Sequence, residues 1–209
     1  MHLLVLGASG LTGTRIVHQA LEAGHRVRAW VRDPARLPPD LTGLDLHVGD
    51  VRDPAAWTDA LSGIEAVLGA LGGRGPDGPG DVRHEGIRQA IAAMQTSGVR
   101  RLLAVGGAGV LQGHDGRLRQ EGPTFPERFR AVSASHARAW RLMAESPLDW
   151  TFVCPPDLLD APPSGDYAVA IDELPGGSGR IARGDLAAFM LAAAEENSFR
   201  HARVGINGL

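Results

Sequence analysis

Three glycines at intervals of three residues are the feature of this sequence that most directly indicates chemistry. Gly7, Gly10 and Gly13 follow an apolar run at residues 3–6 and precede a helical spacing of apolar residues at 11–23. Gly7 permits a tight turn, Gly10 lets a ligand approach the backbone, and Gly13 allows close packing of helix on strand. The amides that begin such a helix bind phosphate groups. The stretch predicts a dinucleotide site formed by Gly7, Ser9, Gly10, Leu11, Thr12 and Gly13.

The end of the second apolar run indicates which dinucleotide would bind. An acid at this position accepts hydrogen bonds from the ribose hydroxyls of NAD, whereas an arginine meets the 2′-phosphate of NADP. Arg32 occupies the position, and Arg36 follows about one helical turn later. A guanidinium pairs well with phosphate, while Asp33 before Pro34 is interpreted as a turn or helix-capping residue. The pattern predicts NADP (NADPH) as the cofactor; the alternative for Arg32 is a solvated surface charge.

The third and fourth apolar runs end in residues that would extend this contact line. Asp50 could accept from the adenine amino group, with Val51 packing on the ring. The alternative for Asp50 is a capping role for a helix that begins at Pro54. Glycines after the fourth run allow close approach of the backbone, and Arg74 is interpreted either as a phosphate contact or as a loop charge. The predicted contacts here are Leu71, Gly72, Gly73 and Arg74.

Apolar runs and helical spacings alternate along the chain, as in an open parallel sheet with helices on both faces. Strands are predicted at 3–6, 26–31, 45–48, 66–71, 101–105, 150–154 and 168–171, with a last strand near 203–206. Helices are predicted at 11–23, 54–61, 82–97, 127–145 and about 185–195, and 106–126 as a long loop. Residues 1–209 are therefore predicted to form a single α/β domain, a doubly wound Rossmann-like fold. The short segment after Pro155 is expected to pack over the carboxyl ends of the strands and complete a substrate cleft.

Composition excludes several kinds of protein. The net charge is −3 and basic residues are scattered, which argues against nucleic acid as the main partner. One cysteine cannot form an internal disulfide and fits a reducing cytoplasm. No apolar stretch approaches the roughly 20 residues that span a bilayer, and the first apolar run lacks the features of a signal peptide. All 21 Lys and Arg residues are arginine, so lysine chemistry is impossible in this chain.

Neither metal-binding nor hydrolase motifs are found. His84 and Glu85 are adjacent and would face different sides of a helix. No two histidines have the spacing of a zinc-binding helix, and Ser133 and Ser135 lie outside any Gly-x-Ser-x-Gly motif. No metal site is expected.

Several stretches together resemble the atypical short-chain dehydrogenase/reductases, an NAD(P)-binding Rossmann group that includes NmrA-like proteins. They are GASGLTG, WVRDPARLP, HVGDV, ALGGR, EGIRQAIAAMQTSGVRRLLAV, SHARAWRLMAESPLDWTFVCPP, SGDYAVAID and SGRIARGDLAAFML. Their order is most similar to that of the biliverdin-IXβ reductase or NADPH flavin reductase subgroup. The resemblance implies a single-domain NADPH-dependent reductase, typically monomeric, with a broad pocket for flavins or tetrapyrroles.

The resemblance also points to residues around the nicotinamide. His136 matches a family histidine near the cofactor, although a surface histidine without a role is the alternative. The same comparison adds Val105, Gly106, Gly107 and Pro155 to the predicted cofactor contacts. Three positions depart from the family. Gly106 and Gly107 stand where it has a Thr-Ser pair, and Asp157 stands where it has a histidine that faces the substrate.

The catalytic tyrosine and lysine pair of short-chain dehydrogenases is absent, since Tyr167 is the single tyrosine and there is no lysine. Carbonyl reduction needs a proton donor, and the candidates are Asp157 and His136. Flavin reduction is less demanding, because proximity and orientation can supply much of the acceleration. The sequence predicts an oxidoreductase that transfers hydride from NADPH to a flavin-like, quinone-like or tetrapyrrole acceptor. The alternative is a non-catalytic NADP(H)-binding redox sensor of NmrA-like type.

Overall fold

The alternating apolar runs form one twisted sheet. The computed structural model describes residues 1–72, 81–113 and 115–209. In this part of the chain the strands are β1 His2–Leu6, β2 Arg26–Val31, β3 Asp45–Val48, β4 Ala66–Gly69, β5 Arg101–Val105, β6 Asp149–Cys154, β7 Asp157–Leu159, β8 Tyr167–Ile171, β9 Arg180–Ala182 and β10 Ala202–Gly208. The α-helices are α1 Leu11–Glu22, α2 Val82–Ser97, α3 Glu127–Glu145 and α4 Arg183–Glu195. Short 3-10 turns occupy Pro34–Arg36, Pro54–Trp57, Ala108–Val110 and Arg119–Glu121.

The sheet has the order β3-β2-β1-β4-β5-β6-β10-β8. Of these eight strands, only β8 is antiparallel to its neighbour. The strand β1 lies in the interior of the sheet, paired with β2 on one side and β4 on the other. The chain therefore reverses its direction of winding at β1, and the carboxyl ends of β1 and β4 border a crevice. This is the position at which open α/β sheets bind ligands.

Helices cover both faces of the sheet, which explains why the central strands are apolar throughout. Leu4 and Leu6 of β1 face the layer formed by α2 and α3, whereas Leu3 and Val5 face the layer of α1 and α4. All five residues of β1 are buried. Burial on both faces is typical of parallel sheets, and it confirms the predicted doubly wound α/β architecture.

The structure corrects several predicted boundaries. The helix predicted at 54–61 is only the 3-10 turn Pro54–Trp57, and the fourth strand ends at Gly69. The strands β7 and β9 were not predicted, because three residues carry too little periodicity to identify a strand. The prediction that the tail packs over the carboxyl ends is wrong for β8 and β10, which extend the sheet beyond β6. Val204 and Ile206 of β10 are fully buried, so core packing holds this segment in the sheet.

The buried carboxylate of Asp185 fixes the start of α4 to the preceding tail. One carboxylate oxygen accepts from the amides of Ser164 and Gly165 at 2.7 and 2.8 Å, and the other accepts from the Ser164 hydroxyl at 2.9 Å. A buried carboxylate is stable only with such partners. The first turn of α4 is thereby held in one place beside α1.

Candidate dinucleotide-binding cleft

The glycine-rich loop between β1 and α1 can be built only from glycine at two of its positions. Gly7 has a φ of +76°, and a Cβ there would lie 2.6 Å from the carbonyl oxygen of Ala70. A Cβ on Gly13 would lie 2.1 Å from the carbonyl oxygen of Gly7. Both contacts are to backbone atoms, which cannot rotate away. The loop thus brings the start of α1 against the ends of β1 and β4.

The start of α1 presents unpaired backbone donors. Its first intrahelical hydrogen bond runs from the Thr14 amide to the Gly10 carbonyl at 2.8 Å. The amides of Leu11, Thr12 and Gly13 therefore have no acceptor within the helix. Gly10 precedes the helix and provides no side-chain cap. A phosphate group is the ligand that such a helix terminus binds best.

A cleft of about 450 Å³ opens at this point, along the carboxyl ends of β1, β2 and β4. Among residues 1–72, 81–113 and 115–209, the charged residues that line it are all arginines, namely Arg32, Arg36 and Arg183. The cleft is lined by Gly7, Ser9, Gly10, Leu11, Thr12, Trp30, Val31, Arg32, Arg36, Gly49, Val51, Ala70, Leu71, Gly72, Val82 and Arg183. Ten of these residues were predicted as cofactor contacts. Gly13 lies behind the loop, packed on its backbone.

Arg32 and Arg36 lie at the outer end of the cleft. Both are exposed, and neither has a carboxylate within 4.0 Å among the residues that the structure describes. Asp33 instead caps the 3-10 turn, because its carboxylate accepts from the Ala35 amide at 3.0 Å. This confirms the capping interpretation of Asp33. The charge left to meet a ligand at the end of β2 is therefore positive.

Asp50 is held by its neighbour. Arg52 donates to both carboxylate oxygens through its side chain and to one of them through its amide, at 2.5–3.2 Å. These hydrogen bonds lower the pKa of Asp50 to about 2. The alternative that Asp50 caps the turn at Pro54 is wrong, since Asp53 does so by accepting from the Ala55 amide. Asp50 itself does not line the cleft, whereas its neighbours Gly49 and Val51 do.

Trp30 is a lining residue that sequence reasoning missed. Its indole nitrogen donates to the Gly49 carbonyl at 2.8 Å, and its ring packs between those of His47 and Trp57 at centroid distances of 4.3 and 4.4 Å. It therefore supports the floor of the cleft between β2 and β3. Its position near the end of β2, two residues before Arg32, is the feature of the sequence that could have identified it as a lining residue. The other missed lining residues are Val31, Gly49, Ala70, Val82 and Arg183.

The residues that follow β4 border the cleft in the part of the chain that can be described. Leu71 and Gly72 line the cleft after β4, and Leu71 also packs against the core beneath α2. Gly73 and Arg74 lie outside the described residues, so their predicted contacts stay predictions.

A second group of predicted residues lies at the carboxyl ends of β5 and β6. Val105 ends β5, and the Gly106 amide donates to the Val153 carbonyl at 2.7 Å. Pro155 is buried, and its carbonyl accepts from the amide of Ala108 at 2.8 Å. None of the predicted residues in this group is among those that line the 450 Å³ cleft.

An aromatic ring explains why glycine stands at 106, and a second ring lies near Gly107. A Cβ on Gly106 would lie 2.2 Å from Cε1 of the buried Phe152 ring. A Cβ on Gly107 would lie 3.3 Å from Cδ2 of His136. Phe152 and His136 themselves meet edge to face, with centroids 6.4 Å apart. Phe152 thus fills the space that a side chain at 106 would need.

His136 stands on α3, the helix that the Asp81 carboxylate ties to the start of α2. Asp81 accepts from the Ser135 hydroxyl at 2.5 Å and from Arg138 at 3.0 Å. Burial opposes the charge of Asp81, but these hydrogen bonds outweigh it and hold the pKa of Asp81 below its ordinary value. The next residue, His136, is placed against Gly107 by this attachment.

The His136 ring is electrically neutral in the folded protein. Its Nδ1 is buried and has no hydrogen-bond partner among the described residues. Burial lowers the pKa of His136 to about 3; the charge of Arg83 acts in the same direction, and that of Asp81 opposes it. The ring can therefore accept a hydrogen bond near neutral pH, but it is not a proton reservoir.

This lowered pKa predicts an acid-sensitive stability. The unfolded chain binds a proton at His136 below about pH 6.5, whereas the folded chain does not until about pH 3. As the pH is lowered through this window, the free energy of unfolding should therefore decrease. The contribution of His136 to this decrease is up to about 1.4 kcal/mol per pH unit. The free energy of unfolding is measured in urea at pH 7.5 and at pH 5. The decrease between the two pH values should be about 1–2 kcal/mol smaller for His136→Asn than for the unaltered chain.

An equal acid-induced loss in the His136→Asn variant would contradict the neutral, buried state of His136.

Asp157 is exposed at the start of β7, where its Cα pairs with that of Arg180. It does not line the cleft. The structure therefore places the two predicted catalytic residues in different surroundings, His136 against Gly107 and Asp157 on the surface.

A larger groove of about 580 Å³ lies between the turn at 54–63 and the end of α2. It borders the amino end of β4 and is lined by uncharged side chains apart from Asp59. Within residues 1–72, 81–113 and 115–209, no group of three or more His, Cys, Asp or Glu side chains is placed to hold a metal ion. None of the helices in these ranges is long and apolar enough to cross a membrane.

The chain belongs to the NAD(P)H-binding family, whose profile matches residues 7–197. Fold, glycine loop and family together define an NAD(P)-binding Rossmann-type protein. It is similar to a candidate NADH-flavin reductase from Streptococcus pneumoniae, with 26% identity, a TM-score of 0.86 and 100% of both chains covered. It is also similar to a candidate epimerase from Bacteroides thetaiotaomicron, with 27% identity, a TM-score of 0.87, and 100% of this chain and 97% of the other covered.

A curated relative is the uncharacterized protein YwnB from Bacillus subtilis. It is 26% identical over 164 residues, which cover 77% of this chain and 74% of YwnB. The chain spans only 31% and 33% of the length of two other curated relatives. Relatives and structural neighbours include reductases and a candidate epimerase, so the family defines the nucleotide-binding function more closely than the reaction.

Proposed function

We propose that this protein is an NADPH-dependent reductase that transfers hydride to a flavin-like or quinone-like acceptor. The observation that carries the proposal is the cleft at the reversal of the sheet, where unpaired helix amides lie near three arginines, the charged lining residues within the described part of the chain. A dinucleotide with several phosphate groups fits such a cleft in charge and in position. The Nε of Arg183 is buried and has no hydrogen-bond partner in the described ranges, which is consistent with a ligand of this kind.

NADPH rather than NADH is proposed because of the charge at the end of β2. Arg32 and Arg36 line the cleft, whereas Asp33 is engaged in its own turn. An arginine pair at this position stabilises the 2′-phosphate, which NADH lacks. The similarity to the candidate NADH-flavin reductase from Streptococcus pneumoniae supports the reaction class. The proposed preference for NADPH rests on Arg32 and Arg36 alone.

The acceptor is inferred from the groups at the ends of β5 and β6. Gly106 and Gly107 offer backbone groups and no hydroxyl, and His136, whose pKa burial lowers to about 3, is not an imidazolium acid near neutral pH. An isoalloxazine or quinone ring delocalises the charge that it gains and can take its proton from water. NADPH supplies the hydride, and the chain supplies orientation and proximity, which can lower a barrier by about 7–11 kcal/mol. A tetrapyrrole acceptor is less favoured, since the exposed Asp157 would repel its propionates if it bound nearby.

The test is NADPH oxidation by the purified chain with FMN, riboflavin, a quinone and biliverdin as separate acceptors. The proposal predicts turnover with a flavin or the quinone and little with biliverdin. Tight NADPH binding without oxidation by any acceptor would instead favour the non-catalytic redox sensor.

Arg32→Ala should change the preference between dinucleotides. Loss of the guanidinium should weaken NADPH binding about 10- to 100-fold and leave NADH binding nearly unchanged, because only NADPH carries the 2′-phosphate. Arg26→Ala, at the opposite end of the same strand, is the control and should alter neither affinity. Both affinities are measured by titration of the dinucleotide fluorescence, and equal weakening of NADPH and NADH would refute the assigned role.

A further inference from the structure

Arg183 reaches the cleft from a different part of the chain than the other lining residues. It is the first residue of α4, in the C-terminal tail, whereas the other residues that line the cleft precede position 83. Because α4 packs along α1, Arg183 approaches from the side of the helix whose amino terminus faces the cleft. Arg32 and Arg36 approach from the end of β2, on the other side of the glycine loop.

The backbone around Arg183 is held in place on both sides. The carbonyl of Gly184 accepts from Nε2 of Gln19 on α1 at 3.0 Å. A Cβ on Gly184 would lie 2.2 Å from the nitrogen of Pro163, so the tail packs directly on this residue. Asp185 is fixed by the Ser164 and Gly165 amides. Arg183 therefore starts from a position that is anchored to α1 and needs no rearrangement to face the cleft.

The side chain of Arg183 contains a buried hydrogen-bond donor. This donor, Nε, has no hydrogen-bond partner among the described residues. A buried charged donor without an acceptor is costly, and such groups need an explanation. A phosphate oxygen in the cleft would supply the missing acceptor and a compensating charge.

We propose that Arg183 binds the pyrophosphate of the dinucleotide, together with the amides at the start of α1. This inference rests on the proposed function and adds to it separate roles for the arginines of the cleft. Arg183 contributes to affinity for NADPH and NADH alike, whereas Arg32 and Arg36 distinguish between them. The tail after β6 is thus part of the cofactor site and not only of the sheet.

The test compares four ligands on Arg183→Met and Arg32→Ala. NADPH, NADH and ADP-ribose contain the pyrophosphate, whereas 2′-AMP carries only the 2′-phosphate. Arg183→Met should weaken the first three by a common factor of about 10 to 30 and leave 2′-AMP unchanged. Arg32→Ala should weaken NADPH and 2′-AMP and spare NADH and ADP-ribose. Arg183→Lys should recover part of the loss, because it restores the charge without the fork.

Thermal unfolding of the ligand-free protein separates binding from a structural role. Arg183→Met keeps an apolar stem and removes the buried Nε, which has no hydrogen-bond partner in the part of the chain that the structure describes, so its melting temperature should equal or exceed that of the unaltered chain. Arg141→Met, an exposed arginine on α3, is the charge-matched control and should leave all four affinities unchanged. Equal losses for 2′-AMP and ADP-ribose, or unchanged NADPH affinity in Arg183→Met, would overturn the assignment of Arg183. Failure of the unaltered chain to bind any of the four ligands would overturn the proposed function itself.

Discussion

Replacing Gly13 with alanine is expected to abolish tight NADPH binding and to lower the free energy of unfolding. The added Cβ would lie 2.1 Å from the Gly7 oxygen, 2.8 Å from the Gly7 carbonyl carbon and 3.0 Å from Cα of Ala8. All three atoms belong to the backbone, so the loop or the helix must move. Overpacking of this kind costs about 1–3 kcal/mol. Movement of the helix amides away from the phosphate groups would weaken charge-assisted hydrogen bonds, and we expect NADPH affinity to fall about 100-fold.

Gly176→Ala is the matched control, because a Cβ at Gly176 meets no atom within 4 Å and its φ is not in the left-handed region. It should leave stability and NADPH affinity unchanged. Urea unfolding and fluorescence titration measure the two quantities. If Gly13→Ala bound NADPH as tightly as Gly176→Ala, the glycine loop would not be the phosphate site.

Introducing a threonine at position 106 is expected to destabilise this protein. The Cβ of Gly106→Thr would lie 2.2 Å from Cε1 of Phe152 and 2.8 Å from two other ring atoms. Phe152 is buried within the core, so it cannot swing aside without repacking its neighbours. We expect a loss of about 3 kcal/mol in the free energy of unfolding, measured in urea.

A double-mutant cycle identifies the cause. Phe152→Ala alone opens a cavity and should cost about 3–5 kcal/mol. In that background Gly106→Thr should cost less than about 1 kcal/mol, because the threonine enters the vacated space. Gly107→Ser is the positional control, since its Cβ would approach His136 no closer than 3.3 Å. Equal costs of Gly106→Thr with and without Phe152 would show that the ring is not what excludes the side chain.

The glycine at 106 and the aromatic ring at 152 illustrate what local sequence could not reveal. The departure at Gly106 was evident from the resemblance, but its compensation by Phe152 depends on the pairing of β5 with β6. The same holds for Asp50. The sequence suggested that it could bind a ligand or cap a helix, but its carboxylate accepts hydrogen bonds from the neighbouring Arg52. Short-range spacing does not report which of several possible partners a carboxylate chooses.

The elements that position the cleft were predictable because their signals are local and strong. The apolar run of β1, the glycine spacing and the helical pattern of α1 occur in direct succession, and the bounds of α2 and α3 agree with the prediction. The tail was not predictable to the same degree. The strand β10 depends on burial against β6, and Arg183 reaches the cleft only because α4 packs on α1. Long-range packing of this kind leaves no periodic mark in the sequence.

The most direct test of the central claim is a single turnover of the purified chain with NADPH and FMN in the absence of oxygen. NADPH would carry deuterium on one or the other face of its nicotinamide C4. We predict that the absorbance of NADPH and that of oxidised flavin fall together, at a rate that depends on the protein concentration. Transfer should be slowed by deuterium on one face only, because the cleft fixes the orientation of the ring. A rate equal to that without protein, or equal slowing by deuterium on either face, would contradict the account.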